Sequence, residues 1–321
     1  MDTVHQDEKA FATLAEPTAG WLKAVRTGEP RWAGGLEITP LLADLNGTRR
    51  WLLLHEAVAK GLLEVKERGA GATVNEVEAF NRGKLPVLVL EGESIVGAKQ
   101  NRVVVETVLI AAQTLVTIPV GCVEQGRWAR GTIKFEVGAM PVSPQLRKFT
   151  ATEAARAGHI NQAGLWGQVV GCLTMSKVGS PTADYHKLIE VHRREVEERA
   201  RALEPVPGQV GIVATDDHSL VGLELVGHPE AWRAVAGRLV PSYLLWSAVP
   251  QWASESKPDL GNKKSRDGRA WLTVIAEARQ SLRPTRGFGV RLVLEGDGFT
   301  GAGLWHEDRP AHLAVFSDEG R

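Results

Sequence analysis

Short apolar runs set against dense polar clusters organise this chain. Residues 87–90, 103–105 and 115–120 are apolar almost without interruption and too short for helices, which predicts strands buried on both faces. Two polar clusters break the block, GAKQNR at 97–102 and CVEQGRW at 122–128. Such groups can sit among buried strands only where the backbone leaves the core, at a sheet rim or in a pocket beside it. Upstream, 36–42 predicts a strand, 52–60 a short helix closed by Gly61, and 62–67 and 74–80 further strands. Connections this short leave no room for crossover helices, so the strands are expected to pair antiparallel.

After Val142 the period lengthens. Pro144, Pro181 and Pro229 each stand where a first helical residue would, with Ser143 and Ser180 as N-caps. Residues 184–203 carry Glu190 with Arg194, Glu195 with Arg199 and Glu197 with Arg201 at helical spacing, as an exposed helix would. The stretch 204–208, with two prolines and a glycine, is the expected linker. Beyond it, 210–214 and 220–226 predict a hairpin turned by DDHS, 229–249 a long helix that Pro241 should kink, 255–269 a polar loop, 269–282 a helix, and 290–295, 299–305 and 311–316 the closing strands. Residues 7–25 form a weak amphipathic helix whose truncation should be tolerated. The fold expected is α+β. An N-terminal helical extension (1–34) precedes an antiparallel β-rich sandwich or partial barrel (35–142), a helical middle (143–203) and a smaller C-terminal α+β unit (207–321), with 35–321 as one globule the alternative. No fixed-period repeat is visible, which excludes solenoids and propellers.

Composition narrows the function. With 321 residues, 43% hydrophobic, the chain can bury a sizeable core, and its zero formal net charge supplies no field for nucleic acid or an anionic membrane. Two cysteines cannot build a disulfide scaffold, and the N-terminal sequence has no signal pattern, so a cytoplasmic location is expected. No histidine falls between Glu56 and Gly158, so no imidazole metal site is expected in the strand block. His306 and His312 read as ordinary strand and loop residues, and Cys122 as a small buried apolar one. Most tryptophans read as packing residues; Trp128, Trp166 and Trp305, beside polar motifs, could also stack on a base.

Lys99, Arg102 and Arg127 are the donors an anionic phosphate needs, while Gln100, Asn101 and Gln125 could read a ribose or an adenine edge, with Trp128 beside them. Glu124 belongs to the same candidate ligand-binding set; Glu91, Glu93 and Glu124 could serve as an acid/base pair, with Glu93 and Glu124 the catalytic candidates. Arg102 and Arg127 are expected to face one polar site from two rims of a sheet. The competing reading is a polar network that locks two loops, with Arg127 paired to Glu124 or Glu93.

The runs VLVLEGESIVGAKQNR and IPVGCVEQGRW, with NQAGLW at 161–166 and residues 211–248, resemble the ARPP-1 domain family, named for association with ADP-ribosylglycohydrolases and rhodanese-phosphatase proteins. The resemblance implies a role around NAD-derived ADP-ribose metabolism, with a phosphate- and ribose-bearing ligand such as ADP-ribose or NAD at the motif rim. It supplies neither reaction nor cofactor. The alternative it leaves open is a non-catalytic regulatory or scaffolding partner of an ADP-ribosylglycohydrolase-type enzyme.

Overall fold

The structure is a computed structural model and describes residues 19–45, 47–68, 75–127, 133–157, 159–248 and 266–318. Its largest element is a nine-stranded antiparallel sheet drawn from both ends of that range. It contains β1 (Arg26–Thr27), β2 (Arg31–Ala33), β3 (Leu36–Leu42), β13 (Gln209–Asp216), β14 (Ser219–Val226), β15 (Arg279–Arg283), β16 (Val290–Gly296), β17 (Phe299–His306) and β18 (Arg309–Ser317). The order is β1-β3-β13-β14-β18-β17-β16-β15, with β2 pairing β3.

That order reads the same from either edge, and the hairpins agree with it. Strands β13 and β14 turn at Asp216 and Ser219 with a register shift after Ala214; β17 and β18 turn at His306 and Arg309 with a shift after Leu304. Under this correspondence Gly211 matches Gly301 and Glu224 matches Ala314, and Glu224 and Ala314 are themselves paired across the β14–β18 boundary. The sheet is therefore a pair of equivalent four-strand halves about a local two-fold at that boundary. Two such halves separated by a long insertion have no constant period, which is why they are not visible as a repeat.

The insertion lies between β3 and β13. It begins with β4 (Leu52–Leu53), α1 (Leu54–Ala59), β5 (Leu63–Glu67), β6 (Glu76–Asn81), β7 (Val87–Val89), β8 (Ser94–Gly97), β9 (Arg102–Val104), β10 (Val108–Ile110), β11 (Thr114–Cys122) and β12 (Phe135–Val137). Six of these form an antiparallel sheet ordered β12-β8-β9-β11-β6-β5. Its edges meet, because Lys66 bridges Lys134 and Glu67 N–H donates to Ile133 O, so the sheet is close to a closed barrel. Strands β10, β7 and β4 form a small sheet in which β4 and β7 run parallel, an exception to the antiparallel expectation. The inward side chains, among them Val65, Val77, Val89, Val104, Ile118 and Val120, fill one apolar core.

Helices α2 (Pro144–Ala157), α3 (Gln162–Met175) and α4 (His186–Ala200) follow, and α5 (Pro229–Ala248) follows β14. Trp232, Tyr243, Leu239 and Leu188 from these helices share a core with Ile212 and Val226 of the large sheet and with Leu88 and Val103 of the insertion. The other face of the large sheet buries Val213, Leu223, Leu225, Leu292 and Val315 beneath Leu22 and Val25 and beneath Trp271, Leu272 and Ile275 of α6 (Gly268–Ala276).

Two expected elements differ. Pro181 starts no helix: residues 182–185 are held by the loop after β11, with Gly126 N–H donating to Thr182 O and Tyr185 N–H to Val123 O, and α4 begins only at His186. The helix expected over 269–282 stops at Ala276, and 279–283 form β15, where exposed Arg279, Ser281 and Arg283 alternate with half-buried Gln280 and Leu282. Pro241 lies inside α5, which continues to Ala248.

Candidate functional site

The polar motifs sit where strands end, as their composition requires. GAKQNR is the turn between β8 and β9, with Gly97 and Ala98 in the left-handed region, and CVEQGRW starts at the last residue of β11. The two loops close on each other and on residues 180–186. Arg127 Nε donates to both oxygens of Glu124 at 2.9 and 2.8 Å, Nη1 donates to Ala98 O at 2.9 Å, and Nη2 donates to Asn101 Oδ1 at 3.0 Å and Gly97 O at 3.4 Å. Glu124 also accepts from Asn101 N–H and the Thr182 hydroxyl. Asn101 Nδ2 donates to the carboxylate of Asp184, which accepts from His186 N–H and faces His186 Nδ1 at 3.3 Å. Burial works against charge on Asp184, yet these bonds from His186 and Asn101 hold its carboxyl below the usual range.

Arg102 is fully buried on the neighbouring side of the turn, donating to Gln100 Oε1 at 3.0 Å and pairing with Glu67 at 3.4 Å; Gln100 in turn donates to Gln125 O. The two guanidinium groups thus belong to adjoining parts of one network, each with its own carboxylate. Lys99 and Gln125 face outward, Arg127 is part-exposed, and Trp128 lies outside the described residues. The third motif joins the same lock. Asn161 caps α3 through Gly164 N–H, and the Gln162 amide both accepts from and donates to the backbone of Cys122 at 2.8 and 2.9 Å. Gly121 lies under Leu165, where a Cβ would come within 2.4 Å of Leu165 Cδ2. Burial pushes the Cys122 thiol up to about 11, far from a thiolate nucleophile at neutral pH.

Glu93 is fully buried, ion-paired with Arg238 at 3.0 Å, and its Oε2 has no partner. Arg238 also donates to Gly138 O and approaches His55 Nδ1, and burial followed by this cation lowers the His55 pKa. Glu93 and Glu124 are therefore each neutralised by an arginine from a different neighbour. Among the described residues no group of three His, Cys, Asp or Glu side chains could hold a metal ion.

A second polar centre lies on the local two-fold of the large sheet. Glu224 of β14 accepts from Arg147 Nη1 and Nη2 at 2.8 and 3.0 Å, from Tyr243 OH at 2.9 Å, and meets His312 Nε2 at 2.5 Å. His312 Nδ1 is 2.6 Å from Thr107 Oγ1, which accepts from Glu91 N–H. Since Thr107 already accepts there, its own proton is free to point at the imidazole. Arg147 stacks over Phe316, and Glu91 Oε1 lies 3.7 Å from Arg147 Nε with neither atom hydrogen-bonded. Burial would raise the Glu224 pKa, but Arg147 and His312 hold it at about 2; Glu91, with burial dominant over Arg147, is pushed up to about 7. Thr107, His312 and Glu224 share the connectivity of nucleophile, base and orienting acid, but Glu224, His312, Arg147 and Tyr243 are fully buried, so the set pins α2, α5 and the insertion to the sheet. Here sequence reasoning missed Arg147, Thr107, Glu224 and Tyr243 and took His312 as ordinary. The available signal was a lone carboxylate inside LVGLELV, since a charge within a buried strand demands a partner.

Comparison with known proteins gives one match. No curated protein and no solved structure matches the chain. The family model of the ARG and Rhodanese-Phosphatase-superfamily-associated Protein domain covers residues 24–316, spanning both halves of the large sheet, the insertion and all three motifs, so the chain belongs to the ARPP-1 family.

Proposed function

We propose that the chain is a non-catalytic regulatory or scaffolding partner of an ADP-ribose-processing enzyme. One observation carries this reading: the Arg127 guanidinium donates to Glu124, Asn101 and the carbonyls of Gly97 and Ala98, so its fork is already filled by the protein. A phosphate would have to displace a buried carboxylate to use it, leaving Glu124 without its arginine. The family name, which records association with other proteins, agrees with a partner role. A second reading, recognition of ADP-ribose or NAD at the motif rim, draws on outward-facing Lys99 and Gln125 and on the part-exposed Arg127.

The test mixes the purified chain with an ADP-ribosylglycohydrolase from the same organism. Light scattering after size exclusion and the hydrolysis rate of an ADP-ribosylated substrate are then measured. A stable complex and an altered rate are expected. Absence of a complex, together with a melting temperature raised by ADP-ribose in the wild type and not in Arg127→Lys, would transfer the assignment to the second reading.

A further inference from the structure

The two halves of the large sheet each carry a helix on the same face, residues 19–24 before β1 and α6 before β15. Both bear a Trp-Leu pair, Trp21-Leu22 and Trp271-Leu272. Between residues 22–27 and α6, which is nine residues long, lies a cavity of about 600 Å³. Its floor is apolar, with Leu22, Val25, Leu272 and Ala276 buried. Its rim is basic: Lys23, Arg26 and Arg269 against the single carboxylate of Glu277.

The geometry points to a binding site here for a small amphiphilic anion, one acidic head on an apolar body, such as a medium-chain carboxylate. The volume falls inside the ~300–1,000 Å³ range of ligand clefts. The apolar body would lie along Leu22, Val25, Leu272 and Ala276, and the head would meet cations that are available. Among the described residues Lys23 and Arg269 make no side-chain hydrogen bond or ion pair, and the Arg26–Asp44 pair at 2.9 Å is so exposed (61% and 86%) that redirecting it costs little. The site is remote from the motif lock in sequence and shares no residue with it. It stands or falls independently of the partner role.

Dodecanoate is the probe, read by isothermal titration and thermal shift on the full chain, with dodecanol as the uncharged control. Saturable binding of one dodecanoate with a raised melting temperature is expected. Lys23→Glu with Arg269→Glu should weaken it at least tenfold, and Thr273→Phe, which fills the exposed lip without changing charge, should abolish it. Since Lys23, Arg269 and Thr273 are exposed, these variants should fold, and an unchanged circular dichroism spectrum checks that. Equal binding of dodecanol, or dodecanoate binding unaffected by all three substitutions, would overturn the assignment. So would no response to dodecanoate alongside co-sedimentation with phosphatidylglycerol vesicles, which would make the basic rim a lipid-surface contact.

Discussion

Replacing Glu224 by glutamine changes one oxygen to an amide nitrogen and removes one charge from a centre without access to water. The carboxylate accepts from Arg147 twice, from Tyr243 and from His312, so whichever way the amide is turned its N–H₂ faces donors. Arg147, fully buried, keeps its charge, and among the described residues its other neighbouring carboxyl is Glu91 at 3.7 Å. Breaking a buried pair in this way costs about 3–5 kcal/mol. For a chain of 321 residues that is a fall in melting temperature of roughly 5–7 °C. Urea denaturation at pH 7, followed by tryptophan fluorescence, should show the lower midpoint with unchanged slope. Arg147→Met alone should be comparably harmful, and the double variant should recover at least ~2 kcal/mol relative to the sum. If Glu224→Gln lies within ~1 kcal/mol of wild type, the centre is not a charged pin and the argument fails.

Four further outcomes are expected. Glu91 has a folded pKa of about 7 against an ordinary value of 4.5, so the native state holds the extra proton and stability should decline by about 3 kcal/mol as pH rises from 4.5 through 7. Glu91→Gln should flatten that decline, and a pH–melting curve with the same slope in both proteins would contradict it. Arg127→Lys should lower stability by roughly 1–2 kcal/mol, because an ammonium cannot serve Glu124, Asn101 and two carbonyls together, and should leave any thermal shift with ADP-ribose unaltered. Gly92→Ala should prevent folding or cost several kcal/mol, since Gly92 has φ +81° and the new Cβ would lie 2.3 Å from Arg147 Nε. Gly167→Ala, in open space on α3, should stabilise by about 0.5–1 kcal/mol. Urea midpoints for this pair separate backbone strain from side-chain space.

Local pattern carried much of the fold. The run 36–42 marked β3 to the residue, and the charge spacing of 184–203 marked α4 over 186–200, where Glu195 meets Arg199 as expected while Glu190 meets Lys187 and Glu197 meets Arg193. What was not legible depended on partners distant in sequence. Nothing around Pro181 shows that 182–185 will be captured by the loop after β11. Likewise the edge strand 279–283 has a period of two over only five residues, directly after a helical pattern. The motifs GAKQNR, CVEQGRW and NQAGLW were legible as a set, but whether their donors face a ligand or one another is decided in three dimensions. Arg127 with Glu124 shows the second arrangement. Arg147 and Glu224 were each visible only as an isolated charge near apolar residues, and a pairing across two elements leaves no trace in spacing.

The pairing of β3 with β13 also sets a clock. During synthesis Leu36–Leu42 leaves the ribosome long before Gln209–Asp216 exists, and at ~5–20 residues per second the interval is roughly ten to thirty seconds. Throughout it, β3 has edge hydrogen bonds and the side chains of Leu36, Ile38 and Leu41 without their sheet partner, while the inserted barrel can complete its own strands. The barrel is therefore positioned to fold first and to hold an unfinished sheet edge beside it. In a cell, aggregation and chaperone capture of the nascent chain should both be concentrated in this window.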